Sequence, residues 1–237
     1  MLYVNRFALA ASLLLGSHFA ALSAHAAAIQ LFAPADLSPA DTTMVYPGAP
    51  NTVLPSPLTL AADANTLTLI SPFGYFRRSA QGTGFTADFL PNTPLLVPQS
   101  SSYLDITFAS GITEAGLQVQ TGYVSSFGSE TLTAYNGSTT LGSWTISARN
   151  NGTGNGTAPF LGVRATDGDL ITRLRVSNRV GGTELDYYFA VGPLTFAAAS
   201  PQPVPEPTTI LLFVVALLVL RLQRHRATDT AITRSGE

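Results

Sequence analysis

The sequence predicts an all-β protein, an antiparallel β-sandwich of jelly-roll-like type, set between an N-terminal signal peptide and a single short C-terminal transmembrane helix. Three observations predict it. Apolar and polar residues alternate with the period of a half-buried strand, as in SYLDITFA, where Leu104, Ile106 and Phe108 interleave with Asp105 and Thr107. Strand-like runs recur about every 8–12 residues through the second half, with turn-forming pairs between them. No helical periodicity of useful length occurs between the two apolar ends.

The first element is residues 1–26. Arg6 is the one charge ahead of the apolar run FALAASLLLG, and small residues close the segment, which gives it the three parts of a secretory signal. Ala24 and Ala26 frame the small-residue site, so cleavage is expected between Ala26 and Ala27, with the bond after Ala28 as second choice. An uncleaved N-terminal anchor is the alternative reading.

Residues 27–199 form the predicted ectodomain. Up to Pro98 the chain is rich in Pro, Thr and Ala, with strand-like runs such as LTLAADANTLTLI. Beyond it SYLDITFA, GLQVQTGYV and ETLTAY read as successive strands. The pair Asn136–Gly137 favours positive φ and a tight reversal into LGSWTISA. FLGVRA, a turn at TDGD, LITRLRVS, a turn at Gly181–Gly182 and DYYFAVGPLTF complete the series.

Composition narrows the chemistry. Of 237 residues, 46% are hydrophobic and only 11% charged, against a usual ~25% charged. Part of that imbalance sits in the two ends, and the roughly 170 residues between them suffice for one domain with a real core. There is no cysteine and no lysine, and the three histidines, His18, His25 and His225, lie in the terminal segments. The stretch from Ile29 to Ser200 therefore has no thiolate, and it lacks the side chain behind most acid–base, triad and zinc chemistry. Seven Arg against eight Asp and three Glu leave it a formal charge of −4, unsuited to nucleic acid held by phosphate neutralisation. No metal or cofactor is predicted, and no enzymatic activity.

Several residues within the domain admit two readings. Asp167 and Asp169 have the spacing of calcium ligands but lack the remaining ligands of such a loop, and a hairpin turn accounts for them. The triplets at 136–138, 151–153 and 155–157 match the N-glycosylation pattern, and their Asn-Gly pairs equally form turns. The alternating Arg173, Arg175 and Arg179 are expected to put two guanidinium groups on one strand face. That arrangement suits a polyanion or an acidic sugar, or a solvated face with cross-strand acids. Trp144 and the pair Tyr187–Tyr188 could stack on a sugar ring, or simply pack. A glycosidase would need a facing pair of carboxylates, and the sequence singles out no such pair among its eleven.

The C-terminal end reads most specifically. A Pro-rich linker covers residues 200–207, an apolar segment 208–222, and a basic, polar tail 223–237. The eleven unbroken apolar residues from Ile210 to Leu220 would rise only ~16 Å as a helix, short of the ~20 residues a bilayer usually needs. They have no polar face, and Arg221, Arg224 and Arg226 follow at once, as the positive-inside rule expects of a stop-transfer segment. Val204, Pro205, Glu206 and Pro207 with the apolar run and the arginines resemble the PEP-CTERM sorting signal of Gram-negative bacteria, whose layout is similar to that of the LPXTG signal. The resemblance implies recognition of Pro205–Glu206–Pro207 by exosortase, a membrane transpeptidase-like enzyme, after passage through the secretion translocon. It also implies transient inner-membrane anchoring and a final place on the outer surface or outside the cell. One departure is the segment ATDTAITRSGE beyond the arginines, where family members end sooner. The middle of the chain, over roughly 95 residues from LDITFASGITEAGLQVQT to YYFAVGPLTF, resembles a β-rich ectodomain common in that family. Where such domains carry Asp or Asn near a Phe-Ala pair, this chain has Tyr188 and Gly192. The expectation is a non-enzymatic surface or matrix protein connected with exopolysaccharide or biofilm. A carbohydrate-binding module and a carboxylate-dependent glycosidase are the alternatives.

Overall fold

The computed structural model describes residues 28–39, 41–62, 65–72, 74–180 and 188–199. In chain order the strands are β1 (Ala28–Leu31), β2 (Thr42–Met44), β3 (Val53–Leu54), β4 (Leu58–Ala62), β5 (Asn65–Ile70), β6 (Phe76–Gln81), β7 (Gly84–Phe85) and β8 (Pro94–Pro98). They continue as β9 (Tyr103–Thr121), β10 (Phe127–Asn136), β11 (Thr139–Arg149), β12 (Phe160–Ala165), β13 (Ile171–Val180), β14 (Phe189–Val191) and β15 (Leu194–Ala198). One 3₁₀ turn, Pro34–Asp36, is the sole helical element among the described residues. The protein is all-β, and every ladder is antiparallel except the two-residue pairing of β6 with β7.

The organising element is β9. Its first part, Leu104 to Phe108, lies between β5 and β13, and the sheet extends outward through β4 on one side and β10 then β11 on the other. Its second part, Glu114 to Gln118, lies between β12 and β15, with β1 and β2 beyond them. Its last residues pair with β14, which continues through β8 and β6 to β3. One strand thus belongs to two sandwich-like layers, and β10 and β11 approach β12 and β1 across the core.

The sequence reads SYLDITFA and GLQVQTGYV as two strands, whereas the backbone runs through both without a turn. Ala109, Ser110 and Gly111 between them adopt no positive φ. The partner registers shift opposite this point instead, on β13 and on β15, as at a bulge. Asn65 holds the bend: its side chain donates to the Ser110 carbonyl at 2.8 Å and accepts the Ser110 N–H at 3.1 Å. A second difference lies in DYYFAVGPLTF, which divides into β14 and β15 at Gly192–Pro193. The predicted turns at Asn136–Gly137 and TDGD are present, with Gly137 at φ +57° and Asp167 and Gly168 at +56° and +82°. The Gly181–Gly182 turn lies outside the described residues.

Alternation places the core where the pattern predicts. Leu104, Ile106 and Phe108 of β9, Leu132 and Ala134 of β10, Leu161 and Val163 of β12 and Leu174 and Val176 of β13 are buried together. A smaller cluster of Phe85, Ala87, Phe89, Leu95, Val97, Ala158 and Ala190 lies beside β8 and β14. No helix among the described residues is long and apolar enough to cross a membrane.

Candidate functional site

The residues that sequence singles out fall into three groups. Val204, Pro205, Glu206, Pro207, Arg221, Arg224 and Arg226, like Ala24, Ala26 and Ala27, lie outside the described residues, as does Tyr187. Ala28, the second-choice cleavage position, is the first residue of β1 and pairs with Ala165, so a cut after it would remove one rung of that ladder. The remaining candidates lie in the folded domain.

Trp144 is half-buried on the inner side of β11 and packs against the core, over Gly142 of its own strand. Tyr188 stacks against Phe85 at 5.0 Å, and its hydroxyl accepts from Arg77 and donates to the Gly84 carbonyl. Both are packing residues in this arrangement. Asp167 and Asp169 belong to the β12–β13 hairpin, where the Asp169 N–H closes the turn onto the Thr166 carbonyl at 3.0 Å. Among the described residues no group of three His, Cys, Asp or Glu is placed to hold a metal ion. The Asn151 and Asn155 pairs form the connection from β11 to β12, with Gly152, Gly154 and Gly156 all at positive φ. That loop is anchored by Asp88, whose carboxylate accepts from the Asn151 and Thr153 N–H groups and the Thr153 hydroxyl at 2.8–2.9 Å.

The arginines behave differently. Positions 173, 175, 177 and 179 alternate with buried Leu174, Val176 and Asn178, so three guanidinium groups, not two, project from the outer face of β13. Register then fixes their neighbours. Arg173 lies between Thr107 of β9 and Tyr135 of β10, Arg175 between Asp105 and Thr133, and Ser177 between Tyr103 and Thr131. Beyond them the outer face carries paired hydroxyls, Thr133 with Ser143, Thr131 with Thr145 and Ser129 with Ser147, at 2.7–3.0 Å. The result is a face of hydroxyls crossed by a line of guanidinium groups.

Two of those groups are held by aromatic rings. The Arg173 guanidinium lies 4.0 Å from the centre of the Tyr135 ring, and that of Arg175 lies 4.2 Å from Tyr103. Arg175 also makes a two-pronged pair with Asp105 at 2.7 and 2.8 Å, which holds its proton more firmly still. Two hollows, about 450 and 290 Å³, open side by side on this face and share Ser177 and Arg179. The sequence names the arginines but misses Tyr103 and Tyr135 as their supports. The signal is present in hindsight: both tyrosines occupy outer positions of alternating strands, where an aromatic ring needs a reason to face water.

A carboxylate pair lies on the other layer. Glu114, 3% exposed, is clasped by Arg164 at 2.6–2.7 Å and by the Ser38 N–H and hydroxyl, while Asp41 sits beside it. Burial, then repulsion from Glu114, raises the Asp41 carboxyl. Arg164 and Ser38 hold Glu114 ionised in spite of its burial. With its oxygens so engaged, Glu114 anchors the segment before β2.

No family model matches the chain, and no curated protein matches it. Among solved structures it is similar to a DUF4465 family protein from Bacteroides caccae, at 10% identity over 72% of this chain and all of the other, with a TM-score of 0.39.

Proposed function

We propose that the chain is an exported, non-enzymatic surface or extracellular-matrix protein, sorted through its C-terminal tail and associated with exopolysaccharide or biofilm. The observation that carries this is the order of features between Val204 and Arg226: the Pro-Glu-Pro motif, an apolar run too short for a stable span, and three arginines. Residues 1–26 supply export. The domain is read as a jelly-roll-like sandwich. Its support is the crossing of the chain between layers, from β12 beside β1 to β13 beside β10.

The test is the mass and location of the chain in Gram-negative cells with and without exosortase. The expected product lacks residues 1–26 and is shortened near Pro205–Pro207 only when the enzyme is present. A full-length, membrane-bound chain in both strains would defeat the reading.

A second reading, a carbohydrate-binding module, is favoured by the hydroxyl-lined outer face of β10, β11 and β13. The glycosidase reading draws no such support, because Glu114 is fully engaged by Arg164 and Ser38.

A further inference from the structure

We infer that the outer face of β13 and its neighbours binds an acidic polysaccharide through carboxylate–guanidinium contacts, with Arg173 as the principal donor and Arg175 beside it. The inference deepens the carbohydrate-binding reading and does not depend on the sorting of the chain.

Charge selects the class of ligand. The domain as a whole is acidic, yet Arg149, Arg173, Arg175 and Arg179 all occupy outer positions of this one sheet. Among the outer positions of β5, the Tyr103–Phe108 part of β9, β10, β11 and β13, Asp105 is the only carboxylate. A basic strip on an acidic domain is an attractive surface for a polyanion at short range.

Side-chain chemistry then separates the polyanions. Guanidinium groups present a planar fork that matches carboxylate geometry, and the Tyr135 and Tyr103 rings hold these two forks in place before any ligand arrives, reducing the side-chain entropy lost on binding. Asp105 already demonstrates the fit by gripping Arg175 with both oxygens. Arg173 makes no ion pair with a described carboxylate; its Nε is buried, so the donors it can offer a ligand are those of its terminal Nη groups. The surrounding groups are hydroxyls, the natural complement of sugar hydroxyls. Nucleic acid fits poorly, because both tyrosine faces that could stack on bases are covered by arginine. The two adjoining hollows along Ser177, lined by Arg175 and Arg179 and not by Arg173, give a chain of sugars that reaches past the Arg173 fork a path across the strands instead of a closed pocket for one.

The experiment is affinity electrophoresis of the full chain in mild detergent, through gels containing polygalacturonate, neutral dextran or duplex DNA. Retardation by polygalacturonate alone, weakening with added salt, is expected. Arg173→Gln should weaken it about fivefold and Arg173→Gln with Arg175→Gln further, while Arg173→Lys, which keeps the charge and loses the fork, should fall between. Circular dichroism melting of each variant confirms that it is folded, and Arg173→Gln, which breaks no ion pair, serves if the double variant melts early. Equal retardation of parent and folded variants overturns the inference, as does stronger retardation by DNA. Retardation by dextran alone overturns it while leaving a carbohydrate-binding module standing, and retardation by no polymer overturns both.

Discussion

Two buried acids, Asp88 and Glu130, meet the same desolvation with opposite outcomes. Burial raises the Asp88 carboxyl, but hydrogen bonds from Asn151, Thr153 and Gln120 outweigh it and hold the group below its ordinary value. The unfolded chain therefore takes up this proton first, and the stability Asp88 contributes is present above about pH 4 and lost as pH falls below that. Asp88→Ala strands those donors in the interior and should cost about 3 kcal/mol in urea unfolding at pH 7; an unchanged midpoint would refute the anchoring role. Glu130 has too few donors. It lies opposite Asn178 on the inner face, accepts the Thr121 N–H at 3.2 Å, and leaves Oε2 without a partner. Burial pushes its carboxyl up to about 7. Here the folded state holds the proton longer, so stability falls as pH rises from about 4.3 to 7 and then levels. Glu130→Gln should match the parent at pH 4 and exceed it by about 3 kcal/mol at pH 8. The same difference at both pH values would contradict a titrating group. Neither acid was legible in the sequence, because what distinguishes them is the number of donors that distant segments bring.

At the scale of the element, glycines show how the strands were fitted to each other. Gly116 of β9 lies opposite Gly162 of β12, and the Phe160 ring covers both: a Cβ on Gly116 would stand 2.3 Å from Phe160 Cζ, and one on Gly162 2.7 Å from its Cε1. The ring supplies the packing surface that two bare backbones lack. Gly116→Val should cost about 3 kcal/mol. Combining Gly116→Ala with Phe160→Ala should cost less than the sum of the two single changes, a coupling that a denaturation cycle would reveal. Additive losses would mean that the ring and the glycine are independent. The alternation in LDITF, TLTAY and TRLRVS made the strands and their buried faces legible, since period two is local. The continuity of β9 was not: Ala109–Ser110–Gly111 looks like a break, and only Asn65 and the partners' shifted registers make it a bend. Pairing order was equally hidden, because β12, β13 and β15 join β9 from far along the chain.

For the whole molecule, β9 is paired on both sides over nearly its full length, while β4 and β11 are outermost in their layer. Amide hydrogen exchange should therefore be slowest at residues 104–108 and 114–118 and fastest in β4 and β11. Equal protection throughout would show that opening is entirely global. The outer face of β13 was half legible. Its arginines were visible as a pattern, but the rings beneath them and the hydroxyl rows beside them come together only through cross-strand register.

The last described strand carries a mechanical consequence. β15 is hydrogen-bonded to β9 on one edge and to β2 on the other, with Thr195 bridging to Thr43 at 2.9 Å. A force directed along β15 would load both ladders together in shear, so that no single rung opens first. Pulled that way, the strand that ends the folded domain would carry tension through two seams at once.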